Sequence, residues 1–190
     1  MNARIETDAL FRSAHAALVF AANYSGQAYD RPVMNRMATK AGPEGKGLHG
    51  IDGAAQAGLI LAELRMLGPF YEAILVADVA QETVPCDCER PCCSGSRDNT
   101  RFADAVNTLS KEVLERVLSG CISHRVLRVG LVRKFFGVPG ITLKDLAKAC
   151  DVSDDTAARH NEKITALLRK ERKKAWAAFE ERCRKAGWID

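Results

Sequence analysis

The sequence has no long apolar run and few aromatic residues. No segment approaches the ~20 consecutive apolar residues of a membrane-spanning helix, so we do not expect an integral membrane protein. Only 7 Phe, 2 Trp and 3 Tyr occur among 190 residues. Hydrophobic residues nevertheless make up 47% of the chain, and 28 Lys and Arg are balanced by 24 Asp and Glu. A chain of this composition is too apolar and too evenly charged to be disordered over its whole length. The composition predicts one globular domain or two small ones.

The patterns of secreted proteins and of common enzymes are also missing. Glu6, Asp8 and Arg12 interrupt the segment where a signal peptide has an apolar block. We therefore expect a cytoplasmic protein, in which the seven cysteines are metal ligands or buried thiols rather than disulfides. No zinc-deaminase motif, catalytic carboxylate pair or nucleophile–base spacing occurs, so we do not expect an enzyme.

Helical spacing dominates the chain. The clearest amphipathic segment has apolar residues every three to four positions, with the charges of KEVLER opposite them. These apolar residues are Phe102, Val106, Leu109, Val113 and Val117. Gly120 interrupts this helix, CISHRVLRVGLVRKFF predicts another, and GVPGI ends that one. Strand-like alternation is missing apart from the ambiguous ILVADV, so the sequence predicts an all-α helical bundle.

Four cysteines lie within eight residues of a segment rich in Pro and Gly. Cys86, Cys88, Cys92 and Cys93 form the pattern C-x-C-x(3)-C-C. Because zinc takes four thiolates and such a loop can wrap one ion, we interpret the cluster as a structural zinc site. Adjacent cysteines are hard to place on one metal, so a ligand from elsewhere is an alternative, as is a set of free or redox-active thiols. The candidate outside ligands are His49, His124 and Cys121.

The positive charge is concentrated near the C-terminus. From Arg159 to Asp190 there are ten Lys and Arg and five acidic residues, whereas the preceding 158 residues have a net charge of −1. Such an asymmetry is typical of a polyanion-binding region, because each phosphate that is neutralised releases counterions. A solvated helix face is the alternative interpretation.

The segment 141–168, ITLKDLAKACDVSDDTAARHNEKITALL, has the residue types of a helix-turn-helix at the required spacing. Ala147 is small where the second helix crosses the first, and Val152 fits the corner between them. Ser153 caps the second helix. Ala157 belongs to its inner face, and Asp151 stands where glycine usually makes the turn with a positive φ. An ordinary helical hairpin is the alternative.

The outward face of the second helix is predicted to contact DNA. Arg159 can bond guanine O6 and N7, and Thr156 can contact a thymine methyl or a phosphate. Asp155 can accept from cytosine N4 or reject other sequences. The predicted DNA-binding residues are Ser153, Asp155, Thr156, Arg159, His160, Lys163, Arg169 and Lys170. The helix continues as a basic stem that consists of Arg169, Lys170, Arg172, Lys173 and Lys174. Phosphate contacts are expected from this stem and from Arg125, Arg128, Arg133 and Lys134 on the preceding helix.

The segment LVRKFFGVPGITLKDLAKACDVSDDTAARHNEKITALL resembles the C-terminal part of phage and prophage antitermination proteins of the Q type. Together with the upstream loop CDCERPCCSG, the resemblance covers residues 84–175. It implies a late-gene regulator that binds DNA near a promoter, loads onto paused RNA polymerase and makes it read through terminators. The base-reading role would belong to Thr156, Arg159, His160 and Lys163, and the N-terminal helices and cysteine loop would be free to contact polymerase.

We therefore expect three segments: an N-terminal helical region (1–84), a cysteine-rich zinc loop (85–98), and a helical domain (99–190) that ends in the helix-turn-helix and a basic helix. The predicted function is that of a DNA-binding transcription regulator, with double-stranded DNA and RNA polymerase as partners and no membrane. Two alternatives are a phage DNA-packaging protein similar to a terminase small subunit and a helical protein–protein adaptor with a structural zinc.

Overall fold

A computed structural model describes residues 9–24, 50–86, 88 and 94–190 of the chain. This described part is mostly helical, which confirms the predicted all-α class at that level. Its helices are α1 (Ala14–Asn23), α2 (Gly50–Arg65), α3 (Pro69–Val79), α4 (Thr100–Val117), α5 (Arg125–Phe135), α6 (Leu143–Ala149) and α7 (Asp154–Lys185). Two short strands, β1 (Thr83–Pro85) and β2 (Ser96–Asp98), lie between α3 and α4. Within the described ranges, no helix combines the length and the apolar character needed to cross a membrane.

The chain divides into two compact units. The first consists of Met1–Leu67 with Trp176–Asp190, and the second of Gly68–Ala175. These limits differ from the predicted boundaries near residues 84 and 98. The difference arises because α3 packs against α4 and so belongs with the following helices. The last turns of α7 belong with the N-terminal helices, a long-range pairing that local patterns do not encode.

In the first unit, α1 packs against α2. Ser13 caps α1 by accepting a hydrogen bond from the Ala16 backbone N–H at 3.1 Å. The core includes Leu18, Ile60 and Leu64, all fully buried. The C-terminal residues join this core, because Phe179 is fully buried and Trp188 nearly so.

In the second unit, α4 packs against both α3 and α5. The predicted amphipathic helix is confirmed, since four of its five apolar positions are buried and Val117 is partly exposed. The buried four are Phe102, Val106, Leu109 and Val113. Gly120 has φ 81° and lies just beyond the end of α4, at the predicted interruption.

The strands β1 and β2 form an antiparallel hairpin that the sequence patterns did not predict. Val84 pairs with Arg97, and the Cys86 backbone N–H donates to the Gly95 carbonyl at 3.0 Å. Asn99 then joins the hairpin to α4. Its side-chain Nδ2 donates to the Gln81 carbonyl at 2.8 Å, and its side-chain Oδ1 accepts from the Arg101 backbone N–H at 3.1 Å. Strands of three residues are too short to produce a visible alternation.

Candidate nucleic-acid interface

Helix α6 packs against α5, in which residue 130 has no side chain. A Cβ at Gly130 would overlap the Leu146 side chain, so glycine leaves room for this side chain where α6 packs against α5. Thr142 caps α6 by accepting from the Asp145 N–H at 3.1 Å. Ala147, predicted at the crossing point, is only 1% exposed.

The connection between α6 and α7 is a tight turn at Cys150–Ser153. Asp151 has φ 52° and is the one residue other than glycine with a positive φ among those described. This agrees with its predicted place at a turn position that usually holds glycine. The Val152 N–H donates to the Ala147 carbonyl at 3.0 Å, which closes the end of α6.

Ser153 begins α7 as the predicted cap. Its hydroxyl oxygen accepts from the Thr156 N–H at 3.2 Å and lies 2.9 Å from the Thr156 hydroxyl. Asp154 and Asp155 occupy the first turn, where the helix dipole favours negative charge. Ser153 and Thr156 therefore already have local partners, and their contacts to DNA remain predictions.

The inner face of α7 consists of Ala157, Ile164 and Leu168, which are all fully buried. His160 belongs to the same face, with only 6% of its surface exposed. The prediction that His160 points outward to read bases is therefore wrong. Its position, three residues after Ala157 and four before Ile164, puts it on the buried side of the helix.

His160 is surrounded by positive charge. Burial lowers its pKa, and nearby Lys163, Arg159 and Arg128 lower the pKa further. Its Nδ1 atom is buried without a hydrogen-bond partner among the described residues. The imidazole is therefore held in its neutral form at neutral pH.

An exposed row of cations runs along the opposite side of α7. We call Arg159, Lys163, Lys170 and Lys173 the cationic stripe; all four are exposed. Their spacing of four, seven and three residues keeps them on one side of the helix, over about 21 Å of its length. Exposed Ala166 lies between them on this side. Arg159 Nε also donates to the Asp155 carbonyl at 3.3 Å.

Ion pairing separates the basic residues of α7 into two groups. Five are paired with acidic side chains: Arg172 with Asp78 at 2.8 Å, Lys174 with Glu171 at 2.9 Å, Arg182 with Glu63, Arg184 with Glu180, and Lys185 with Glu181 at 2.6 Å. Within the described ranges, neither the cationic stripe nor Arg169 forms an ion pair. Acidic partners thus compensate the charge of the predicted basic stem at Arg172 and Lys174, whereas no described acidic residue pairs with Arg169 or Lys170.

The basic residues of α5 are less available than predicted. Arg128 is 7% exposed, and its guanidinium donates to the carbonyls of Ser110 and Ser123, so its predicted role in binding phosphate is wrong. Burial, followed by the charge of Arg125, lowers the pKa of Arg128. Arg133 pairs with Glu82. Lys134 is half-buried, whereas Arg125 is exposed.

The cysteine cluster is only partly described. Cys86 is half-buried and Cys88 is exposed, whereas Cys92 and Cys93 lie outside the described residues, as does His49. Among the residues that are described, no three His, Cys, Asp or Glu side chains come together as a metal site. Zinc binding therefore remains a prediction.

No protein-family model and no curated protein matches the sequence. The structure adds two features that sequence patterns missed. One is the pairing of the distal basic residues with acids remote in sequence, such as Asp78 and Glu63. The other is a polar groove between α5 and α7, lined in part by Lys134, Thr165 and Arg169. Lys134 and Arg169 were predicted as separate phosphate contacts, but no sequence pattern indicated that they share one groove.

Proposed function

We propose that this protein is a DNA-binding transcription regulator whose α6–turn–α7 segment acts as a helix-turn-helix. One observation carries the proposal: a capped, partly buried helix follows a tight positive-φ turn and carries on its exposed side the cationic stripe, which forms no ion pair with any described residue. This combination of a buried face and an outward basic face is what a recognition helix in the major groove requires.

In the proposed complex, the first half of α7 lies in the major groove. Arg159 is the main candidate for base readout, because its guanidinium can bond guanine O6 and N7 together. Thr156 and Asp155 are further candidates at the same end of the helix. Lys163 and Lys170 would neutralise phosphates, which sets affinity and register without reading sequence.

The mixed charge around Arg159 favours specific over indiscriminate binding. Asp155, Arg159 and Glu162 line one exposed surface of α7. Carboxylates repel phosphates and accept hydrogen bonds from cytosine N4. We therefore expect a protein that selects among duplex sequences at this end of α7 and gains general affinity from the residues further along.

The proposed regulatory activity is antitermination. Its support is the resemblance of residues 131–168 and of the cysteine loop to Q-type antitermination proteins. RNA polymerase is the corresponding protein partner. The cysteines would hold a structural zinc: Cys86 lies at the closed base of a hairpin, and its backbone hydrogen bond to Gly95 keeps the ends of the loop together.

Selection of genomic fragments by the purified full-length protein, followed by fluorescence anisotropy on the selected duplex, tests DNA binding. Arg159→Ala should cost about 1–3 kcal/mol of binding free energy at the specific site and relax base preference there. Arg184→Ala is the matched control, since it removes an arginine that pairs with Glu180 on the same helix. Equal affinities for wild type and Arg159→Ala would contradict the assignment.

Transcription in vitro across a terminator tests the regulatory activity. The template should carry the selected DNA element upstream of a promoter-proximal pause, with purified RNA polymerase. We expect longer transcripts with wild-type protein and terminated transcripts with Arg159→Ala. Specific DNA binding without any change in transcript length would instead favour a packaging function.

Metal content is measured independently, by elemental analysis of protein purified without added metal. We expect one zinc per chain, lost in a Cys86→Ser, Cys88→Ser double variant. A Cys150→Ser variant is the control, because Cys150 is buried at the end of α6, outside the loop. Wild-type protein without zinc after purification and zinc titration would rule out the metal site.

A further inference from the structure

A solvent-open groove of about 380 Å³ lies within the second unit, between the end of α5 and one flank of α7. Its lining residues are Lys134, Phe135, Asn161, Thr165, Arg169 and Arg172. No acidic side chain is among them, and each polar member carries at least one hydrogen-bond donor. The lining thus presents donors and positive charge beside one aromatic wall.

One flank of α7 forms a wall of this groove. Asn161, Thr165 and Arg169 follow at intervals of four residues, so they lie above one another on one flank. Arg172 continues the same flank, where Asp78 holds its guanidinium at 2.8 Å. Lys134 faces them from α5, with Nζ 3.5 Å from the Ile141 carbonyl.

The three cations of the groove differ in whether an acidic side chain pairs with them. Arg172 is partly neutralised by Asp78. Lys134 and Arg169, by contrast, have no ion pair within the described part of the chain. Cations beside neutral hydrogen-bond donors favour a multivalent oxyanion over a neutral ligand, because its oxygens accept several hydrogen bonds at once.

We propose that this groove binds a backbone phosphate of the DNA strand that flanks α7. Lys134 and Arg169 would neutralise the phosphodiester, Thr165 and Asn161 would donate neutral hydrogen bonds, and the Phe135 ring would lie against the deoxyribose. This inference rests on the proposed DNA-binding function and adds Thr165, Asn161 and Phe135 to its contacts. Arg169 lies between the groove and the cationic stripe, because the next residue, Lys170, belongs to that stripe.

The test separates charge from neutral hydrogen bonding. Fluorescence anisotropy measures binding of the selected duplex by Lys134→Gln, Thr165→Val and the control Lys111→Gln. The salt concentration is varied from roughly 50 to 300 mM, because counterion release is measured from the salt dependence of affinity. Lys111 is an exposed cation of α4 outside the groove. We expect Lys134→Gln to weaken binding several-fold and to reduce the log–log salt slope by about 0.9. Thr165→Val should weaken binding about 3- to 10-fold at an unchanged slope.

Inorganic phosphate, titrated into the full-length protein and followed by NMR, distinguishes the two sources of this oxyanion. We expect millimolar phosphate to shift the Thr165 amide and the Asn161 side-chain amide, and Lys134→Gln to abolish the shifts. If duplex binding is normal but Lys134→Gln and Thr165→Val both behave like Lys111→Gln, the groove inference is wrong while the proposed function stands.

If no duplex binds but phosphate still shifts these groups, the groove binds a phosphate from another source, and both the DNA-strand proposal and the proposed function are wrong. If neither duplex nor phosphate acts on wild type, the groove is not an oxyanion site at all. Thermal unfolding of each variant accompanies these measurements, and Thr165→Val provides a second test should Lys134→Gln unfold.

Discussion

Single residues decide how α6 and α7 are joined. Asp151 shows that spacing can identify a turn position even when the usual glycine is replaced, because aspartate is one of the residues that tolerate a positive φ. The prediction for His160 was wrong. Its polarity suggested that the side chain points outward, but its spacing from Ala157 and Ile164 places it on the buried side of α7. Arg128 was misjudged for the same reason, since carbonyl acceptors that no local pattern reveals allow its burial.

Replacing Asp151 by glycine should stabilise the protein. The backbone at φ 52° costs an L-residue about 1–2 kcal/mol, which glycine avoids, but glycine also gains freedom in the unfolded chain. We expect a net gain of about 0.5–1 kcal/mol, and a loss for the β-branched Asp151→Val. Urea unfolding at pH 7 measures both. Asp154→Gly, within α7, is the control and should destabilise; stabilisation by both glycines would exclude the turn as the cause.

Acid should destabilise the second unit through His160. Its pKa in the folded protein is lowered, chiefly by burial and then by Lys163, Arg159 and Arg128, so folding favours the neutral ring. The associated stability is fully present above the unfolded-state pKa of about 6.5 and is lost progressively as pH falls from that value through the lowered pKa of the folded state. His160→Leu should therefore unfold with a weaker dependence on pH between 7 and 5.

The measurement is the free energy of unfolding at several pH values, with His124→Gln as the control. His124 is an exposed histidine, so its replacement controls for the loss of an imidazole that is not buried. Identical pH profiles for His160→Leu and wild type would show that another group is responsible for the acid sensitivity.

At the level of elements, helices with a strong apolar period were predictable, and short strands were not. Helix α4 illustrates the first case, because its buried residues repeat at helical spacing over 18 residues. The hairpin β1–β2 illustrates the second, because its pairing depends on hydrogen bonds between segments ten or more residues apart. The contact between α5 and α6 could not be predicted from the sequence either, because a glycine within a helix does not indicate which side chain packs against it.

The α5–α6 contact gives a prediction at this level. Gly130→Ala should destabilise the protein by about 1 kcal/mol, because the overlap of the new Cβ with the Leu146 side chain costs about 1–3 kcal/mol and the better helix propensity of alanine offsets about 1 kcal/mol of that cost. Leu146→Ala removes that overlap, so the double variant should lose less stability than the sum of the two single variants. Unfolding free energies of the four proteins give the coupling. Gly58→Ala, at an open position in α2, is the control; strictly additive losses would refute the contact.

For the whole molecule, composition predicted where positive charge accumulates but not how much of it remains uncompensated. The excess of Lys and Arg after residue 158 is evident in the sequence. Its neutralisation is not, because partners such as Asp78 and Glu63 come from distant parts of the chain. The limits of the two units were not predicted for a related reason: the first unit combines N-terminal helices with the last turns of α7, and no local pattern records that association.

Salt dependence measures this remaining charge. If Arg159 reads a base while Lys163, Lys170, Lys173 and Arg169 each neutralise one phosphate, these four contacts give a log–log slope of about −3.6, whereas ten cations would give about −9. We expect a value near the smaller number for the specific duplex, modestly increased by Lys134. A slope near −9 would mean that the ion pairs of the distal helix open on binding.

The hairpin beside the cysteine cluster has a consequence for engineering the protein. A ladder between β1 and β2 and the amide of Asn99 hold the chain on both sides of the loop. Because the entropy of closing a longer loop rises only slowly with its length, a short affinity tag inserted into the sequence between Cys88 and Cys92 should cost little stability. Such an insertion lengthens only the spacer between the two pairs of cysteines that are proposed to hold zinc, and it leaves the surface of α7 untouched.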